Sequence, residues 1–146
     1  MLKLRYPDKI PSVRMEGSKE QIFCAVRRKW IMLTPEEWVR QHILIWLEQE
    51  RGVPLSLTAV EKQVSIGELD KRFDIVVYDR SGAPFLLIEC KQMEVELDFR
   101  VLRQVLNYNI GLQPAFLAVT NGRYLSVFGR FGNALEELDE MPSYPE

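Results

Sequence analysis

The sequence predicts an α/β protein: a central mixed β-sheet flanked by helices in the order helix, three strands, helix, strand, with a β-hairpin extension ahead of the first helix. Three observations carry this. Thr34-Pro35-Glu36-Glu37 opens an amphipathic run that stops at Gly52-Val53-Pro54. Three apolar, strand-like runs follow between residues 57 and 91. A helical segment from Glu94 to Leu112 then separates Pro84–Lys91 from Ala115–Thr120. A strand, a helix and a strand of these lengths make parallel neighbours joined by a right-handed crossover.

The elements follow from local chemistry. Residues 1–18 hold Pro, Lys and Arg without a period and are expected as a surface arm; Ile22–Val26 and Trp30–Leu33 form a short hairpin around Arg27-Arg28-Lys29, read as a solvated turn. In the first helix Thr34 is the N-cap, Pro35 the first helical residue and Glu37 a capping-box residue. Its apolar arc holds Val39, Ile43, Leu44, Trp46 and Leu47, and Arg40 falls inside it. An arginine on a buried arc needs an anionic partner, and Glu37 or a carboxylate on the sheet can supply one. Leu57–Ile66 is a strand, Gly67–Lys71 a turn, and Asn121-Gly122 a tight turn between Ala115–Thr120 and Tyr124–Phe128. The acidic, Pro-containing residues 130–146 are expected as a loosely packed tail. One globular domain results, with residues 1–33 as arm and hairpin, 34–128 as core and 129–146 as tail.

Composition narrows the function classes. A chain of 146 residues that is 47% hydrophobic and 27% charged builds a real core. Its net charge of -2 gives no global attraction to nucleic acid, so such binding needs a local basic patch. Two cysteines, Cys24 and Cys90, make neither a disulfide framework nor a zinc site, and no secretion signal precedes them. The expectation is a cytoplasmic protein with reduced thiols. No apolar run approaches the roughly 18 residues of a membrane span.

The centre of interest is Phe73–Tyr78, a turn over Asp79–Gly82, and Ala83–Lys91. Both runs are core strands apart from Asp74, Glu89 and Lys91. Glu89 and Lys91 lie on one face because side chains alternate along a strand. With Arg80-Ser81 as a two-residue loop, Asp74 faces Leu87, and Glu89 is its diagonal neighbour roughly 7–8 Å away. Charges placed on such a sheet must pair or hold an ion. A structural ion pair of Lys91 with Glu89 or Asp74 is the plain alternative to a metal site.

Asp74, fourteen residues, then Glu89-Cys90-Lys91, on this order of elements, resembles the PD-(D/E)xK nuclease superfamily. Leu33–Gln41, Ala59–Gln63, Asp74–Asp79 and Glu89–Lys91 look like the N-terminal domain of type I restriction enzyme R subunits, in its small free-standing bacterial version. Gln104 and Tyr108 match that family's Gln-x-x-x-Tyr on the following helix. The resemblance covers roughly residues 30–128; Phe73 replaces the proline of the "PD" pair, and the expectation is a domain without the helicase motor of the restriction enzymes.

The resemblance implies a restriction-endonuclease-like core and a Mg²⁺-dependent nuclease of restriction-modification, with Mn²⁺ as a surrogate. Asp74 and Glu89 are the expected metal ligands, and the resemblance adds the backbone carbonyl of Cys90. Such a donor set suits Mg²⁺, which takes hard oxygens from one or two carboxylates plus water and phosphate. Lys91 is placed to orient or activate water, with Glu37 and Gln104 completing the catalytic candidates. Arg40, Arg100, Arg103 and Tyr108 are the candidate nucleic-acid contacts. The expected partner is nucleic acid, DNA first, with a protein partner or a second copy as further options. A nuclease-fold module that binds without turnover is the competing reading.

Overall fold

The computed structural model describes residues 1–108 and 112–146. The strands are β1 (Leu2–Lys3), β2 (Val13–Glu16), β3 (Lys19–Cys24), β4 (Lys29–Met32), β5 (Thr58–Ile66), β6 (Leu69–Tyr78), β7 (Pro84–Cys90), β8 (Phe116–Thr120), β9 (Tyr124–Phe131) and β10 (Ala134–Leu138). The helices are α1 (Pro35–Arg51) and α2 (Phe99–Tyr108).

α1 starts and stops where its sequence dictates. Thr34 Oγ1 accepts the Glu37 N–H at 3.0 Å, and Gly52 adopts a left-handed φ of 67°. The Val53 N–H then reaches the Leu47 carbonyl at 3.0 Å, closing the helix just past the left-handed glycine. α2 begins later than expected, because the Asp98 carboxylate caps it by accepting the Val101 N–H at 3.0 Å. Residues 94–98, expected as helix, are turn and loop, and Leu112, expected as its last residue, is a bend; residues 109–111 of the expected helix lie outside the described residues.

The main sheet runs β1-β9-β8-β7-β6-β5, with β10 also on β9. It is mixed: β7 and β8 are parallel, Leu86 opposite Phe116 and Cys90 opposite Thr120, and the other pairs are antiparallel. Alternation on the central strand β7 puts a helix on each side. Leu86, Ile88 and Cys90 join the core of α1 with Val39, Ile43, Leu44 and Leu47. Leu87 packs with Leu106 of α2 on the other face. Full burial of each of these aliphatic side chains contributes about 1.5–3 kcal/mol.

Several local expectations need correction. The first residues are not a loose arm: β1 pairs with β9, Leu4 is buried, and β2 adds a third strand to the β3–β4 hairpin. Leu69–Lys71 extend β6 rather than forming a turn. The C-terminal tail is packed: β10 pairs with β9, Met141 is buried, and Tyr144 Oη donates to the Tyr78 carbonyl at 2.8 Å. Each of these segments had an apolar residue or two without a period, too few to declare a partner but enough to bury once a sheet edge is present.

Candidate active site

The central hairpin closes two residues off the expected register. The Asp79 carboxylate accepts Ser81 N–H at 2.9 Å, Ser81 Oγ–H at 2.7 Å and Ala83 N–H at 3.0 Å. The loop therefore widens to span Asp79–Ala83, with Asp79 N–H on the Ala83 carbonyl at 2.8 Å. Leu87 faces Val76 rather than Asp74, and Ile88 faces Ile75. Ile75–Ile88 is the last paired rung at this end, and Asp74 and Glu89 are the next residues of the two strands beyond it.

Asp74, 9% exposed, is held from two directions. One oxygen accepts the Cys90 N–H at 2.7 Å and the other the Arg40 guanidinium at 3.0 Å. The hydrogen bond pins β6 to the last residue of β7. Lys91 N–H is bonded to the Thr120 carbonyl on β8 at 2.8 Å. Backbone groups alternate sides along a strand, so the polar groups of Cys90 turn toward β6, while its thiol lies in the α1 core as expected.

Glu89 is the penultimate residue of β7, and Lys91 follows just beyond the strand end. The Glu89 Oε1 is buried and without a hydrogen-bond partner. Burial, followed by the charge of Asp74, pushes its carboxyl up to about 9, against the opposing pull of Lys91. At neutral pH the isolated pair of acids therefore carries a proton. Lys91 itself is half-buried.

Arg40, 3% exposed, is the hub. It pairs with Glu37 and Asp74, and lies 3.6 Å from both Glu36 and Glu61. Both partners foreseen for it, Glu37 and a sheet carboxylate, are present. Committed this way, Arg40 is not a surface contact for nucleic acid. Glu37 is equally occupied: Oε1 pairs with Arg40 and with Arg27 at 3.1 Å, and Oε2 accepts from Gln41 Nε2 at 2.9 Å. Its backbone N–H joins the cap, but its side chain anchors the network. Glu36, not singled out in the sequence, is half-exposed and feels the site instead: burial and the Asp74 charge raise its carboxyl.

Two further residues escaped the sequence reading. Arg27, taken for part of a solvated turn, donates to Glu61 at 3.0 Å as well as to Glu37, and its Nε and N–H both reach Cys24 Sγ. Arg28 and Lys29 are exposed, as expected of that turn. Glu61 has a left-handed φ of 50° and sits between the paired rungs Val60–Ile75 and Lys62–Phe73, alongside Asp74. Such a φ is costly for a non-glycine residue and persists where surroundings over-determine it; here three arginines, Arg27, Arg40 and Arg72, surround the Glu61 carboxylate. The signal available was Glu61 itself, a charge in the middle of a strand.

Gln104, Arg100 and Arg103 lie on the exposed face of α2, around a shallow hollow that they share with Phe99. No hydrogen bond or ion pair among the described residues links them to Asp74, Glu89 or Lys91. The side chain of Tyr108 lies outside the described residues. The site that forms therefore joins Glu36, Glu37, Arg40, Glu61, Asp74, Glu89 and Lys91. Among the described residues no group of three or more His, Cys, Asp or Glu side chains is arranged to hold a metal ion.

Residues 35–142 match the family described as type I restriction enzyme R protein N terminus. The chain belongs to that family. The match takes in α1, the β5–β6–β7 meander, α2 and β8–β10, and so every residue of the acidic site except Arg27. The strands before α1, which deliver Arg27, lie outside it. No curated protein matches the chain. No helix among the described residues is long and apolar enough to cross a membrane.

Proposed function

We propose that this protein is a Mg²⁺-dependent nuclease of the PD-(D/E)xK type, built on a restriction-endonuclease-like core and serving a restriction system. The supporting observation is Glu89: a buried, unpartnered carboxylate oxygen in the field of both Asp74 and Lys91. A protein gains nothing from such an orphan in its folded state, since an unsatisfied buried polar atom costs about 1–3 kcal/mol. A divalent cation suits it. Asp74, Glu89 and the Cys90 carbonyl would hold the ion as hard oxygen donors, which is the donor set Mg²⁺ accepts.

When bound, the ion supplies charge neutralisation at the phosphoryl oxygens and acidifies a water. The chain's own groups do the rest. Lys91 orients the attacking water and offsets negative charge as the phosphorus–oxygen bond to the leaving group breaks. Glu36, half-exposed at the first turn of α1 with its carboxyl raised by burial and the Asp74 charge, would accept a proton from that water. Arg40 holds the Asp74 carboxylate in position, and Glu37 keeps Arg40 in place.

The test is cleavage of plasmid and oligonucleotide DNA by the full-length protein with Mg²⁺ or Mn²⁺. Lys91→Ala and Glu89→Gln are expected to cut on the order of 100-fold or more slowly. Cleavage at the wild-type rate by either variant would remove the proposal. One observation favours the alternative of a non-catalytic binding module: both Asp74 oxygens already have partners in Arg40 and Cys90. That reading predicts nucleic-acid or protein binding indifferent to Mn²⁺ and to Glu89→Gln.

A further inference from the structure

The outer face of α2 carries an aromatic ring among cations. At about 100° per residue, Phe99, Arg103, Arg100 and Gln104 follow one another round a continuous arc of the helix. Val101, Leu102, Val105 and Leu106 occupy the remaining side and pack against the sheet. Phe99 is 77% exposed, more than any other large hydrophobic residue of the described chain. With Arg100, Arg103 and Gln104 it lines a shallow hollow of about 470 Å³. Neither arginine forms an ion pair among the described residues. The nearest acid in sequence, Asp98, spends a carboxylate oxygen on the start of the helix.

A phenylalanine in water on the first turn of a helix contributes no packing and no helix propensity that alanine would not exceed. Its flat face is flanked by two uncompensated charges, with Arg103 one turn along on the same strip. The complementary ligand presents a flat apolar ring joined to anions. A nucleotide is such a ligand, but within a duplex its base faces are covered by their neighbours. We infer that Phe99, Arg100 and Arg103 form a binding site for unpaired nucleotides, with a base stacked on the ring and phosphates on the guanidinium groups. The inference rests on the reading of this protein as a nuclease and adds the strand form it engages.

Fluorescence anisotropy of the full-length wild-type protein in EDTA tests it, using labelled oligo(dT), a duplex of equal length, and an oligonucleotide with abasic positions. Oligo(dT) is expected to bind more tightly than duplex. Phe99→Ala should weaken oligo(dT) binding about 5- to 150-fold, the range for one lost stacked base. Phe99→Trp should retain it, and abasic substitution should abolish the difference between wild type and Phe99→Ala. Arg100→Ala and Arg103→Ala should each lower the slope of log affinity against log salt by about 0.7. Thermal melting should leave Phe99→Ala unchanged, since the ring is exposed.

Equal binding of oligo(dT) by wild type and Phe99→Ala would overturn the site. So would equal binding of normal and abasic strands, the behaviour of a patch for acidic polypeptide. Phe99-dependent binding without any Mg²⁺-dependent cleavage would keep the site and remove the nuclease. Cleavage of duplex unaffected by Phe99→Ala, with unaltered oligo(dT) binding, would do the reverse.

Discussion

Arg40 donates to Asp74 across 3.0 Å while its other terminal nitrogen grips Glu37, so one buried guanidinium ties the first turn of α1 to β6. Everything chemical about the site is arranged around that tie. Each acid that approaches Asp74 does so in a field that Arg40 has already offset.

Removing Arg40 should be among the most damaging substitutions in the chain. Arg40→Met leaves Glu37 and Asp74 buried with their countercharge gone, and loss of one partner of a buried pair costs about 3–5 kcal/mol. Urea denaturation should show a large fall in midpoint. Combining it with Asp74→Asn should recover part of the loss, with a coupling above about 0.5 kcal/mol. Additive losses would show that the two residues act independently.

Arg27 carries the strands before α1 into the site. Arg27→Ala strips a donor from both Glu37 and Glu61, and the expected loss is about 1–2 kcal/mol because the pair with Glu61 is partly solvated. Arg27→Lys should restore less than half of it, since an ammonium cannot reach two carboxylates with a planar fork. A stability equal to wild type for Arg27→Ala would make the β2–β3–β4 sheet an appendage without influence on the site.

The Glu89 carboxyl gives stability a definite pH dependence. Its folded value near 9 lies above an ordinary 4.5. Between those values the folded chain holds a proton that the unfolded chain releases, so this residue's contribution to stability falls as pH rises through the window. Glu89→Gln, which cannot ionise, should flatten the decline and melt higher than wild type at pH 8. Mg²⁺ should raise the melting temperature of wild type there and leave Glu89→Gln unmoved. A Glu89→Gln protein that is less stable at pH 8 would contradict this account.

The Asn121–Gly122 turn abuts α1. Gly122 has φ of 89°, and a Cβ there would sit 3.3 Å from Val39 Cγ2. Gly122→Ala should cost about 1–3 kcal/mol by chemical denaturation, from strain in the left-handed region and pressure on the helix. A neutral effect would mean that α1 can slide over the turn.

Much of the architecture was legible because it is local. The cap at Thr34, the stop at Gly52 and the Asn121-Gly122 turn each depend on a few neighbouring residues, and all three form as their chemistry requires. Parallel pairing of β7 with β8 followed from the length of the intervening segment alone. The segments that misled had weak local signals: Leu2–Lys3 and Ala134–Leu138 become strands because β9 presents an open edge to them.

The sequence by itself determined which charged residues interrupt apolar patterns, Asp74, Glu89, Lys91 and Arg40, and of these the fold buries Arg40 and Asp74 and half-buries Glu89 and Lys91. Tertiary structure alone decided how those charges meet. The side chain of Asp79 lengthened one loop and moved Leu87 from Asp74 to Val76, while Arg27 arrived from a separate sheet to occupy Glu37. Register and ion pairing depend on distances between segments far apart in the chain, and a periodicity records only which way each side chain faces.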